Sequence, residues 1–251
     1  MKYGLQLYSV RDVAAENYEL ALEQVAKIGY DMVETAGFFG NKGEDVAAML
    51  KKYGLTACST HTSINDLLAD FDGVIAMHKA IGCKDIIIPS AKIKNAEQVE
   101  AVINAINELQ PKIEAEGMRL HFHNHSREFL PNEDGQIFFE HLRDRTNVLF
   151  EFDTFWLFNA GVDPLEMMET YKDRLYFIHL KDGIPQDHSD PQSKIEGKSL
   201  GLGKAPVAAV RKKAIEMGLT IVVESEDLLP SGPEEVGRCM DFLREQDALD
   251  A

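Results

Sequence analysis

Residues 117–124, Gly-Met-Arg-Leu-His-Phe-His-Asn, decide the fold. They follow a long amphipathic pattern over Ala96–Glu116, and Gly117 falls where a left-handed residue closes a helix. The run Arg119–Asn124 then alternates apolar and polar residues at the period of a strand, with His121, His123 and His125 on one face. The same rhythm of helix, glycine and apolar run recurs in KIGY (27–30), KYGL (52–55), AIGC (80–83) and EMGL (216–219).

Working outward from this unit, strands are predicted over Tyr3–Tyr8, Asp31–Thr35, Leu55–Thr60, Asp85–Pro89, Arg119–Asn124, Val148–Phe152, Leu175–Leu180 and Leu219–Glu224. Between and after them lie helical patterns over Glu16–Ile28, Glu44–Tyr53, Leu67–Ile81, Ala96–Glu116, Phe138–Arg143, Pro164–Tyr171, Pro206–Met217 and Pro233–Arg244, with a kink expected at Pro111. Short apolar strands alternating with helices mean an α/β fold with a parallel sheet buried on both faces. The 251 residues suit one (β/α)8 TIM barrel, a single domain over residues 1–251, with an open doubly wound sheet as the fallback. The polar stretch Asp182–Lys204 reads as a loop over the active face, either a lid or a plain excursion.

Lys and Arg total 26 against 42 Asp and Glu, a formal charge of −16. Such a chain repels phosphate backbones and anionic lipid, so neither nucleic acid nor membrane is expected as a partner. Cys58, Cys83 and Cys239 form no CxxC or CxxH pattern and read as buried or inert thiols. With no signal-like apolar stretch at the start, a cytoplasmic protein is expected.

In a barrel of this kind the active site sits at the C-terminal strand ends. Polar residues fall there on nearly every strand: Gln6 and Ser9, Glu34, His61, Ser90, the His123–His125 triplet, Asp153, His179 and Lys181, then Glu224 and Glu226. Strands six, seven and eight each close an apolar run on one ligand-type residue, Asp153, His179 and Glu224. Converging carboxylates and imidazole make a mixed oxygen and nitrogen site for Mn, Mg, Zn, Co or Fe(II). Taken singly, each is equally an ordinary polar residue at a strand end.

These residues resemble the xylose-isomerase-like barrels, the sugar phosphate isomerase/epimerase superfamily. The resemblance spans the chain through GLQLYSVRD (4–12), GYDMVETAGFFG (29–40), CSTHTS (58–63), HFHNHSREF (121–129), FEFDTFW (150–156), AGVDP (160–164), FIHLKDG (177–183), LGLGKAP (200–206) and VVESE (222–226). It leans toward the branch with inosose dehydratase-like and 3-keto-glycoside-processing proteins. The resemblance implies one divalent cation held by Glu, Asp, His and Glu on the last four strands. Asp153, His179 and Glu224 match the last three, whereas the first glutamate is replaced by His123 or supplied from the loop by Glu128.

The chemistry implied is proton removal next to a carbonyl, with a metal polarising the oxygens. Glu128, Glu224 and His125 are the candidate bases, and Lys181 is the candidate for stabilising developing charge. Glu34, His61 and Trp156 are expected to meet a small carbohydrate substrate or to support the ligands. An isomerase or epimerase is the first reading and a metal-dependent lyase or dehydratase the second. An AP-endonuclease-like nuclease is a remote third, disfavoured by the acidity. Self-association as a homo-oligomer is left open.

Overall fold

Eight short strands alternate in their inward and outward residues, and the computed structural model, which describes residues 1–187 and 193–250, closes them into a barrel. The strands are β1 (Gly4–Gln6), β2 (Met32–Ala36), β3 (Thr56–His61), β4 (Asp85–Ile88), β5 (Arg119–His123), β6 (Leu149–Asp153), β7 (Leu175–Leu180) and β10 (Thr220–Val223). All pairs are parallel, and β10 closes the ring between β7 and β1. The ring is closed by hydrogen bonds alone, so no barrel strand leaves an open edge.

The outward residues of the strands pack beneath the helices. Phe150 and Phe152 lie 5.3 Å apart and nearly parallel, with Phe139 and Tyr171 edge-on or tilted against them. The inward residues fill the lumen in tiers, as side chains of alternate strands do in such barrels. The lower tier is apolar, with Ile87, Phe177 and Val222 in contact and Cys58 packed on them. Gly4 eases the packing here, because a Cβ at that position would come within 3.3 Å of Val222 Cγ2 and 3.4 Å of Cys58 Sγ. At the strand starts, Arg119 grips Asp85 through two bonds of 2.6 and 2.7 Å, and His121 Nε2 joins the same carboxylate at 2.8 Å. His121 thus belongs to a structural network below the site.

Four local features depart from the sequence reading, each for a side-chain reason. The helix expected over Leu67–Ile81 breaks into 64–69 and 71–81 because Asp70 leaves helical geometry and caps Gly73 N at 3.0 Å. The first predicted helix starts at Tyr18 rather than Glu16, where Asn17 caps Leu20 N at 3.0 Å. An unforeseen helix, Thr154–Asn159, begins directly at the end of β6, with Asp153 accepting from Trp156 N at 2.9 Å. The stretch Asp182–Lys204 is not wholly a loop: β8 (Asp182–Ile184) and β9 (Glu196–Lys198) pair antiparallel, while residues 188–192 lie outside the described residues. The helix Ala96–Ala115 runs through Pro111 as one element.

Candidate active site

Above the apolar plug the lumen turns polar. Glu34, on β2, is fully buried and accepts from Gln6 Nε2 at 2.6 Å and Ser59 Oγ at 2.5 Å. Its Oε1 also lies 2.7 Å from His179 Nε2 and 3.0 Å from His61 Nε2. Glu151, on β6, is equally buried, and its Oε2 meets His61 Nε2 at 3.0 Å, His123 Nδ1 at 3.0 Å and His179 Nε2 at 3.3 Å. Three imidazoles therefore converge on two carboxylates, with ring centroids 4.6 to 5.4 Å apart.

The next tier is the rim. Asp153 is held by a reciprocal bond pair between its backbone and the Asn124 side chain, at 3.1 and 3.3 Å. Glu224 Oε2 lies 3.4 Å from His179 Nδ1 and 3.3 Å from Lys181 Nζ. Lys181 is almost wholly buried, bonds Glu226 at 2.5 Å, stands 4.0 Å from Asp153 Oδ2 and sits over the Trp156 ring. The mouth above is a cavity of about 560 Å³ whose walls include Tyr8, His61, His125, Arg127, Trp156 and Glu224.

Electrostatics follow from four buried carboxylates facing one lysine. Burial would keep His61 neutral, but the Glu34 and Glu151 carboxylates beside it outweigh burial and raise its pKa to about 9. The same contest raises His179 well above its usual value, with Glu151 and Glu34 as the opposing charges. Burial dominates at His123 and His125 and lowers them to about 4 and about 2, so both stay neutral. Burial lifts Asp153 to about 7 against the pull of Lys181. Glu224 is held well below the carboxylate range because Lys181 and His179 outweigh its burial.

Two overlapping sets of four ligand atoms, each within 4.8 Å of one another, occur among the described residues: His123, Asp153, His179 and Glu224, and below them His61, His123, Glu151 and His179. The upper set fits a divalent cation. Asp153 Oδ2 and His179 Nδ1 are buried with no hydrogen-bond partner, and both residues belong to this set. In the lower set the imidazole nitrogens already meet Glu151, so its members largely satisfy one another.

The sequence-predicted residues thus sort by depth. His123, Asp153, His179 and Glu224 come together, with Lys181 beside them, and His125 and Trp156 stand at the mouth. Glu34 lies beneath the ligands, sealed from the cavity, while His61 bridges the two tiers. Glu128 is turned into its own turn: it is buried, accepts His125 N at 2.8 Å and pairs with Arg127 at 3.1 Å. Glu151 was not singled out from the sequence. The signal was available, since Glu151 and Asp153 share one strand face just as His121 and His123 do.

A family model described as the xylose isomerase-like TIM barrel matches residues 22–246. The chain belongs to that family. Among solved structures, a sugar phosphate isomerase/epimerase from Parabacteroides distasonis ATCC 8503 superposes with a TM-score of 0.77 at 24% identity, covering 96% of this chain and 93% of that one. The probable 3-DHS dehydratase of petrobactin synthesis from Bacillus anthracis superposes at 0.76 with 12% identity, covering 97% and 99%. At these identities the likeness is one of fold. A curated relative, the inosose dehydratase of Geobacillus kaustophilus (strain HTA426), is 22% identical over 186 residues, 64% of this chain. The aligned part spans 60% of that relative's length. Among the described residues, no helix is long and apolar enough to cross a membrane.

Proposed function

We propose that this barrel is a divalent-metal-dependent enzyme that removes a proton next to a carbonyl of a small polyhydroxylated substrate, a keto-sugar or inosose. The observation that carries the reading is the upper ligand set, with its two unpartnered buried atoms, at the floor of an open cavity. His123, Asp153, His179 and Glu224 would hold the cation. When bound, it would polarise the carbonyl and neighbouring hydroxyl oxygens, making the adjacent proton more acidic.

The chain's own groups supply the rest. Glu224, kept ionised beside Lys181, is the side chain beside the ligands best placed to take a proton, whereas His125, lowered to about 2 by burial, is a weak base. Lys181 places a fixed positive charge between Glu224 and Glu226, where negative charge developing on a substrate oxygen would be stabilised. Trp156 offers an aromatic wall to a ring face.

Epimerisation by proton exchange asks for two opposed acid–base groups, and the two glutamates among the ligands that the resemblance implies would be the natural pair. Here His123 occupies one of those positions, and Glu128 is engaged elsewhere. One-sided proton removal disfavours epimerisation, so elimination, in which the oxygen on the β-carbon leaves as water or an alcohol with the proton returned to it, is our first reading and one-base isomerisation the second. The inosose dehydratase relative fits the elimination reading as analogy.

The test is to incubate the Mn-loaded protein with myo-inosose and with a keto-hexose in deuterated water. A product lighter by one water is expected, with turnover reduced about 10²- to 10⁴-fold in Glu224→Gln. Deuterium incorporation without loss of mass would establish the isomerase reading instead. No conversion of either probe by the loaded protein would count against both.

A further inference from the structure

Glu151 has no assigned role in the chemistry above, yet it has the densest set of histidine contacts in the lumen. Its Oε2 receives His123 through Nδ1 at 3.0 Å and approaches His179 through Nε2 at 3.3 Å, where Glu34 Oε1 takes the same nitrogen at 2.7 Å. A neutral imidazole carries one proton, and the nitrogen that donates it fixes the other as the lone pair. Donation from opposite ring positions toward one floor leaves the opposite atoms facing the rim: Nε2 on His123 and Nδ1 on His179. For His179 this agrees with an independent fact, since its Nδ1 lies 3.4 Å from Glu224 and has no hydrogen-bond partner.

We propose that Glu151 is the positioning residue of the metal site, a buried acceptor that with Glu34 sets opposite tautomers in its two histidine ligands. His123 is thereby locked as the Nδ1–H form and His179 as the Nε2–H form, so that one presents Nε2 and the other Nδ1 to the same cation. The inference rests on the upper ligand set proposed above. It also explains how a histidine serves at a place where a carboxylate would bring its own charge. The negative charge is moved one layer down, onto Glu151, and reaches the ligand through a hydrogen bond that makes the imidazole a better donor. His61, bonded to both floor carboxylates at 3.0 Å, keeps the pair from repelling each other.

The rival assignment is a second cation in the lower set, since Glu151 Oε1 is buried without a partner and His61, His123, Glu151 and His179 are close enough to ligate. Zinc, which is diamagnetic, separates the two. Long-range ¹H–¹⁵N correlation spectra of the histidine rings, taken on the zinc-loaded wild type, should show His123 protonated at Nδ1 and His179 at Nε2, with one zinc per chain. Glu151→Gln, with its fold checked by circular dichroism, should mix the His123 tautomers and weaken zinc binding about 10- to 100-fold.

Two zinc ions per chain would overturn the positioning role in favour of the lower site. So would His123 protonated at Nε2, or a folded Glu151→Gln with unchanged tautomers and affinity. A wild type that takes up no zinc would overturn the metal reading of the site and this role with it, whereas a wrong tautomer with zinc bound overturns the role alone. Should Glu151→Gln fail to fold, the wild-type tautomers and stoichiometry still decide the question.

Discussion

At the scale of single residues, the site is a contest between burial and charge. Asp153 is pushed up to about 7 chiefly by burial, and His179 is raised because two floor carboxylates outweigh its own burial. Without a cation, both therefore hold protons that a metal must displace. The sign follows directly. Below pH 7 both Asp153 and His179 are protonated, and between pH 7 and the elevated His179 value only His179 is. Cation binding should release about two protons near pH 6 and about one near pH 8, so affinity rises with pH and more steeply on the acid side. Titration calorimetry in buffers of different ionisation enthalpy measures this number. Equal release at both pH values would place the cation away from Asp153.

Legibility at this scale was uneven. Asp153, His179 and Glu224 each end an apolar run, so a pattern of strand and rim was enough to find them. Glu151 sits inside such a run, between Phe150 and Phe152, and only the period of two distinguishes it. Glu128 presents the opposite case. Its spacing after the strand puts it near the rim, but the short 3₁₀ turn Ser126–Phe129 folds its carboxylate back onto His125 N. That turn is a local capping box between His125 and Glu128, which a search by strand period and rim does not register.

At the scale of elements, barrel strands and helices were legible because glycine caps and strand periods are local. The excursion after β7 was not, because its order comes from one buried side chain acting across distance. Asp182 accepts Gly183 N at 2.8 Å, Gly201 N and Gly203 N at 2.9 Å, and Ala205 N at 3.1 Å. It thereby ties the far limb of the loop to the β8–β9 hairpin next to Lys181. No room remains for a side chain at Gly203, where an added Cβ would fall 2.1 Å from Asp182 Oδ1. Asp182→Ala leaves several backbone donors unpaired and should cost roughly 2–3 kcal/mol. Denaturant titration reads that loss, and hydrogen exchange should rise in residues 193–205 ahead of the barrel strands. A variant with unchanged stability and exchange would show that the loop is held by other contacts.

At the scale of the whole molecule, the barrel divides its work between two ends. The Asp85–Arg119–His121 network and the Ile87, Phe177 and Val222 plug close the bottom, while the C-terminal ends gather four buried carboxylates around one lysine. Without a metal those carboxylates are offset by Lys181 and by protons on His61, His179 and Asp153, so a bound cation replaces protons and couples its binding to stability. A cation at about a hundred times its dissociation constant should add about 2.7 kcal/mol, which for a chain of this size raises the melting temperature by roughly 5–10 °C. Scanning calorimetry with and without chelator reads the difference. No shift would mean that the folded chain does not bind the ion.

The central claim is tested most directly by elemental analysis of the purified protein beside the Asp153→Ala, His179→Ala double variant, each after reconstitution with Mn, Co, Zn or Mg. The account predicts about one equivalent of a divalent metal in the wild type and its loss in the folded variant. A wild type that remains metal-free with every ion, or a variant that binds as much metal as the wild type, would contradict it.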